Sequence, residues 1–342
     1  MSETFDTAPE RKRPGGFLDL GDDDICQRAK RRYNRVALAL LGFILAANAV
    51  AILVSTLLSI FAVKPEGVLK LVLSFAPVYL VGVPVAILIM KPMPTKRPKE
   101  EKLPFGRILV LIIVSIFFML AGNIIGQLVS YLLSGGTAEN RVTQLVTMEG
   151  WLQFIPVVIL APIFEELVFR KLLIDRVGRF GEKIAIIFSA LAFALFHTNF
   201  FQFFYCFAIG LVFAYAYVRT GKYIVPVLMH MLVNILGGLV PTVLMRMAER
   251  NGVDAAQLQN VTPDKLMSVL GAMLPLLIFE LILWALGLAG LILLIVFAKK
   301  VHFEPAKDQI PKGRAFSTVY LTVGFILYFL LCIGLAVYTL LL

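Results

Sequence analysis

The sequence predicts an all-α, polytopic helical membrane protein with about nine (eight to nine) transmembrane helices. Hydrophobic residues make up 59% of the 342-residue chain and charged residues 16%, whereas soluble domains are about half apolar and about a quarter charged. The apolar residues form runs of roughly 20, the length that spans a bilayer as a helix. The strongly basic segments fall on one side of these runs, which is typical of cytoplasmic loops. This pattern accounts for the net charge of +10 without a nucleic-acid partner.

The chain divides into a polar N-terminal tail, residues 1–35, and one transmembrane domain, residues 36–342. The basic end of the tail sets the topology, and binding to anionic lipid is an alternative role. With nine spans the N-terminus is predicted to be cytoplasmic and the C-terminus to lie outside. The predicted spans are 36–63, 68–90, 108–133, 151–174, 183–197, 200–218, 224–245, 266–298 and 316–342.

The third span carries Gly122 and Gly126, spaced four residues apart on one helix face. Because glycine has no side chain, this spacing permits close approach of a neighbouring helix. The spacing therefore has two interpretations: this face packs closely against another span, or the two glycines are simply tolerated.

The fourth span carries two adjacent carboxylates, Glu165 and Glu166, after a stretch without any charge. An ionised side chain within the membrane costs at least ~2.5 kcal/mol, so such residues usually have a function. In a helix Glu166 and Arg170 lie one turn apart and can pair, while Glu165 is rotated about 100° away. Pro156 and Pro162 each remove a backbone donor, which predicts an irregular helix beside a polar cavity.

Two histidines lie in later apolar spans, His197 in the fifth and His230 in the seventh, where Asn234 follows one turn later. At ~1.5 Å per residue, Glu165, His197, His230 and Asn234 lie about 12 to 21 Å from the basic ends of their spans. This similar depth predicts that the four side chains converge in one cavity.

Three motifs in this region resemble those of a known family of membrane proteases. They are Glu-Glu-x-x-x-Arg at 165–170, Phe-x-x-x-His at 193–197 and His-x-x-x-Asn at 230–234. By these motifs the chain is identified as a member of the CPBP family, the CAAX prenyl proteases and bacteriocin-processing proteins also called Abi. The resemblance covers roughly 151–238 and implies a glutamate-dependent intramembrane endopeptidase. In the CAAX branch such enzymes remove the last three residues after a prenylated cysteine.

The polar residues of the motifs match the needs of peptide hydrolysis, which are an activated water, a stabilised oxyanion and a proton donor. Glu165 and His197 can supply the base and a hydrogen-bonding partner for the water. His230 and Asn234, on one helix face, can both donate to the oxyanion. The supporting residues are Glu166, Arg170 and Phe193.

A zinc site is the alternative mechanism, with Glu165, His197 and His230 as ligands and water in the fourth position. The chain has no His-Glu-x-x-His helix to provide a local chelate. Asn234 is also a poor zinc ligand and a good amide donor. The sequence therefore favours a mechanism without a metal or other cofactor, and zinc is kept as the alternative.

Two other classes of function are open at this point: a non-catalytic membrane scaffold or immunity protein, and an ion-coupled transporter. A transporter could use Glu165, Glu280 and the histidines as an ion relay, but it would be expected to contain inverted repeats. We interpret Glu280, in the eighth span, as a hydrogen-bonded structural residue, with a functional role as the alternative.

The expected partners are membrane lipid and a membrane-associated peptide or protein substrate, and no nucleic acid. Nothing in the sequence indicates an oligomeric state. No endoplasmic-reticulum retrieval signal is found, so the expected location is the bacterial inner membrane.

Overall fold

The protein is built from helices in every part that the computed structural model describes, residues 20–138, 154–253 and 262–341. The predicted all-α fold class is thus confirmed. A five-residue helix, Ala315–Val319, precedes the last long one. The principal helices are α1 Leu20–Ile60, α2 Gly67–Met90, α3 Phe105–Ser134, α4 154–177, α5 Glu182–Phe196, α6 Phe200–Thr220, α7 Ile224–Arg250, α8 Pro263–Phe297 and α9 Val323–Leu341.

Seven of the described helices are long and apolar enough to cross a membrane: α1, α2, α3, α6, α7, α8 and α9. The chain is therefore an integral membrane protein. The two remaining spans of the prediction correspond to α4 and α5. Helix α4 carries the charged residues Glu165, Glu166 and Arg170, and α5 has 15 residues, fewer than the ~20 that a spanning helix needs. These two helices lie inside the bundle, where other helices surround them.

The predicted boundary between tail and membrane domain, at residue 35, is not an end of any helix. Helix α1 begins at Leu20 and continues without a break to Ile60. Tyr33 is fully buried within the predicted tail, because its ring packs edge-on against Phe188 of α5. Residues 1–19 lie outside the described residues, as do residues 151–153 of the predicted fourth span.

The interior has two apolar clusters. The larger joins α1, α2, α4, α5, α6 and α9, and the smaller joins α3, α6, α7 and α8. Helix α5 lies deep in the larger cluster, with Phe188 and Phe193 fully buried. Helix α6 belongs to both clusters. Helix α6 therefore connects the cluster that contains α4 and α5 with the cluster that contains α7.

Helices α3 and α6 are in very close contact, and the two glycines of α3 make this contact possible. A Cβ atom built on Gly122 would lie 2.5 Å from the Cα of Tyr205, and one on Gly126 would lie 2.5 Å from the carbonyl oxygen of Phe201. Both distances are far below van der Waals contact. Of the two interpretations of the glycine spacing, close packing is confirmed.

We expect Gly122→Ala to destabilise the protein by about 1–3 kcal/mol, because the new methyl group must push the α6 backbone away. Gly106→Ala is the matched control in the same helix, since a Cβ there meets nothing within 4 Å. That variant should be neutral or should gain up to ~1 kcal/mol from the better helix propensity of alanine. Unfolding in mixed micelles measures both, and equal stability of the two variants would contradict the packing argument.

Candidate active site

Helix α4, which carries the adjacent glutamates, alternates between two helical geometries. A regular α-helical stretch, Ala161–Glu166, lies between two π-helical stretches, Phe154–Leu160 and Leu167–Leu172. Prolines and π-helical turns leave backbone carbonyls without their usual partners. Two carbonyls of α4 accept hydrogen bonds from side chains in or next to α7: Val157 accepts from Asn234 at 2.9 Å, and Ile163 accepts from the hydroxyl of Tyr223 at 2.6 Å.

Glu166 and Arg170 form the predicted ion pair within α4, which is thereby confirmed. The Oε2 atom of Glu166 lies 3.0 Å from Nε of Arg170, and both side chains are completely buried. The guanidinium carbon lies 4.5 Å from the ring centroid of Phe193 and 5.8 Å from that of Phe213. The Nη1 and Nη2 atoms have no hydrogen-bond partner among the described residues, so these aromatic faces stabilise the cation.

His230 of α7 lies between the two adjacent carboxylates. Its Nδ1 is 3.0 Å from Oε1 of Glu166, and its Nε2 is 3.7 Å from Oε2 of Glu165. The rings of Phe193 and Phe213 contact the imidazole on other sides. Because an ionised carboxylate only accepts hydrogen bonds, Nδ1 must carry a proton. Glu166 therefore orients His230 as well as neutralising Arg170, a second role that sequence reasoning missed.

The side chain of His197 lies at the end of α5. Its Nδ1 donates to the carbonyl oxygen of Phe193 at 2.9 Å. Since a carbonyl is only an acceptor, the proton of neutral His197 is on Nδ1, and Nε2 keeps a lone pair. Thr198 then adopts a left-handed backbone with φ of +46°, which ends α5. Asn199 caps α6 by accepting a hydrogen bond from the Phe201 amide.

One cavity of about 670 Å³ is lined by Glu165, His197, His230 and Asn234 together. The structure thus brings together the four residues that were predicted to converge because they lie at a similar depth in the membrane. Phe193 also lines the cavity, whereas Glu166 and Arg170 lie behind this wall. Glu165 and His197 are predicted to act on one water, and they form no direct ion pair among the described residues. The imidazole that lies beside Glu165 is that of His230. The roles of these residues in a reaction remain predictions.

Glu280 of α8 lines the same cavity. Among the described residues its carboxylate makes no hydrogen bond and no ion pair. The interpretation of Glu280 as a hydrogen-bonded structural residue is therefore wrong. Gly287, which lies two helical turns later on the same face, packs against Leu120 of α3. The glycine at this position could have indicated from the sequence that this face of α8 packs against a neighbouring helix.

The residues proposed for zinc are not arranged as a chelate. Within residues 20–138, 154–253 and 262–341, no three His, Cys, Asp or Glu side chains are placed to hold one metal ion. Glu166 holds Nδ1 of His230, and the Phe193 carbonyl holds Nδ1 of His197, which leaves Nε2 of each ring facing the cavity side of the site, as in metal-binding histidines. The nitrogen chemistry alone therefore suits a metal, but Glu165, His197 and His230 are not close enough together here to form a chelate.

Comparison with known proteins agrees with the motifs. Residues 147–236 match the family described as Type II CAAX prenyl endopeptidase Rce1-like. A protein of Bacillus subtilis (strain 168) named "Putative membrane peptidase YdiL" is 27% identical over 160 residues, which cover 44% of this chain and 64% of that protein. No solved structure gives a significant match. Residues 147–236 are therefore similar to the CAAX prenyl endopeptidases of the CPBP family, in agreement with the three motifs.

Proposed function

We propose that the protein is an intramembrane endopeptidase that hydrolyses a peptide bond in a membrane-associated peptide, with Glu165 as the general base. One observation carries this proposal. The carboxylate of Glu165 lines a large cavity within the membrane domain, beside His230 and with His197 and Asn234 on the same wall. A base, hydrogen-bonding groups and space for a peptide are what the reaction requires.

The attacking water is held by Glu165 and His197. The Nε2 atom of His197 carries no proton, so its lone pair can accept a hydrogen bond from this water. Glu165 removes the other proton as the oxygen attacks the scissile carbonyl, and it returns that proton to the leaving amine. The contact of His197 with the Phe193 carbonyl fixes the tautomer that this step needs.

The developing oxyanion is stabilised by Asn234 and His230. One amide hydrogen of Asn234 is used by the Val157 carbonyl, which leaves the second for the oxyanion. His230 donates Nδ1–H to Glu166, so donation from Nε2 requires the imidazolium form. Such donors typically contribute about 10²- to 10³-fold in rate.

Glu166 and Arg170 act as positioning residues in this proposal. Arg170 forms an ion pair with Glu166, and Glu166 accepts the hydrogen bond from Nδ1 of His230. Neither side chain reaches the cavity, so neither contacts the substrate.

The substrate class is a peptide that enters from the lipid phase, either a prenylated CAAX-type C-terminus or a leader peptide. The family match describes CAAX prenyl endopeptidases, and this favours the prenylated peptide. The partners are membrane lipid and this peptide. The proposed location is the bacterial inner membrane with the N-terminus in the cytoplasm, because the predicted spans place the basic loops together on that side.

The test uses the full-length protein in proteoliposomes. A farnesylated peptide ending in Cys-a-a-X, its unprenylated twin and an apolar leader peptide are incubated with it, and mass spectrometry locates any cleavage. We expect release of the C-terminal tripeptide from the farnesylated peptide. Cleavage of none of the three, with proton flux or only peptide binding instead, would favour the transporter or the scaffold and overturn the proposal.

Removal of divalent metals should leave cleavage unchanged, because the described acidic and histidine side chains do not assemble a metal-binding set. The measurement is the cleavage rate before and after dialysis against 1,10-phenanthroline, with metal content followed by mass spectrometry. A loss of activity that added zinc restores would replace this mechanism by the zinc alternative with Glu165, His197 and His230.

A further inference from the structure

Glu280 is placed on the inward face of α8. Ile278, Leu281 and Ile282 on the neighbouring faces are each more than half exposed, as expected of side chains that contact lipid. Leu283, one turn after Glu280, is buried, and both line the cavity. Further along the same helix, a Cβ atom on Gly290 would meet the carbonyl of Ile113 in α3 at 2.4 Å. The carboxylate of Glu280 is therefore directed into the protein and away from lipid.

Apart from the two histidines, the ionisable side chains of the Asp, Glu, Lys and Arg types that line the cavity are acidic. Glu165 and Glu280 line it, and no lysine or arginine is among the described lining residues. Arg170, the cation of the first motif, is buried behind the cavity wall, where it pairs with Glu166. Glu165 has His230 as a partner, whereas Glu280 has none in the described part of the chain. An ionised carboxylate in a membrane domain is costly unless a cation or several donors accompany it.

Two amide side chains of α3, Asn123 and Gln127, line the same cavity one helical turn apart. Neither makes a side-chain hydrogen bond with another described residue. The other cavity amides differ in this respect: Asn199 caps α6, Gln202 donates to Tyr205, and Asn234 donates to Val157. The amide and carboxylate side chains of the cavity that lack a partner among the described residues therefore belong to α3 and α8, outside the three motifs.

We propose that Glu280, with Asn123 and Gln127, forms a subsite that binds a cationic side chain of the substrate peptide. The carboxylate pairs with a lysine ammonium or an arginine guanidinium, and the two amide oxygens accept its remaining hydrogens. The inference deepens the proposed function, on which it rests, by specifying a basic residue in the peptide near the cleaved bond. These three side chains lie outside residues 147–236, which match the family.

The experiment uses the full-length protein and a library of short acylated apolar peptides that carry one Lys, Gln or Glu at each position in turn. Retention on the immobilised protein and cleavage are both followed by mass spectrometry. Glu280→Gln and Glu280→Lys test the subsite. Glu249→Gln makes the same chemical change at an exposed carboxylate that does not line the cavity.

We expect the unaltered protein and Glu249→Gln to retain Lys peptides about tenfold better than matched Gln peptides at one position. Glu280→Gln should remove this preference, and Glu280→Lys should shift it to Glu peptides. Asn123→Asp places a second carboxylate in the same cavity, so this variant should increase the preference for Lys peptides.

The outcomes separate this inference from the proposed protease activity. A Lys preference that depends on Glu280 without any cleavage would support the subsite and contradict the endopeptidase. Cleavage with no charge preference, or with the same preference in Glu280→Gln, would overturn the subsite. An equal loss of cleavage for all peptides in Glu280→Gln would also overturn it, since Glu280 would then serve the reaction itself.

Discussion

Glu165→Gln is expected to lower the rate of peptide cleavage by about 10²- to 10⁴-fold while the fold is retained. The amide has the same shape as the carboxylate but cannot accept the proton of the attacking water. The Glu165 side chain lines the cavity and keeps some exposure, whereas Glu166 is fully buried, so Glu165→Gln should lose much less stability than Glu166→Gln. The measurements are the cleavage rate in proteoliposomes and thermal unfolding in micelles.

The control for this variant is His197→Gln, which alters the second group that contacts the proposed water. It should lower the rate less than Glu165→Gln does, because glutamine can still hydrogen-bond the water while Glu165 remains as the base. A Glu165→Gln variant that cleaves as fast as the unaltered protein would contradict the assignment of Glu165 as the general base.

Glu166→Gln is expected to destabilise the protein by about 3–5 kcal/mol. Both members of the Glu166–Arg170 pair are fully buried, and removal of one charge leaves the other without a counter-ion. Cleavage should also fall, by about tenfold, since the hydrogen bond to His230 loses its charged acceptor. Thermal unfolding and the cleavage rate, compared with those of Glu165→Gln, measure these two effects.

A double variant separates the structural role of Glu166 from its role in positioning His230. Glu166→Gln combined with Arg170→Met removes both charges, and this should restore most of the stability. It leaves the amide oxygen as a neutral partner of His230, so the rate should stay low. If the double variant recovered rate and stability together, the contact between Glu166 and His230 would have no part in the reaction.

The parts of the site that depend on one helix could be predicted from the sequence. Glu166 and Arg170 lie one turn apart, and helical geometry alone brings them together. Gly122 and Gly126 likewise share a face, and that face is the one packed against α6. The shared cavity followed from depth, which a count of residues estimates well.

Contacts between helices could not be predicted in the same way, because they depend on how each helix is rotated about its axis. Sequence reasoning associated Glu165 with His197, but the structure has His230 beside Glu165 and bonded to Glu166. The π-helical stretches of α4 change the angle per residue, so a regular helical projection fails there. Glu280 was misjudged for a related reason: the inward face of α8 is defined by contacts with α3.

The ion pair within α4 also bears on the order in which this protein can be assembled in a bilayer. Chain synthesis delivers α4 before α7, so Glu166 must enter the membrane region before His230 exists. Arg170 comes from the same helix, one turn later, and it cancels that charge as soon as the helix forms. Glu165 has no such partner within α4, and its imidazole neighbour arrives with α7. The stabilising carboxylate is thus neutralised early during biogenesis, and the reactive one acquires its surroundings only when the bundle closes.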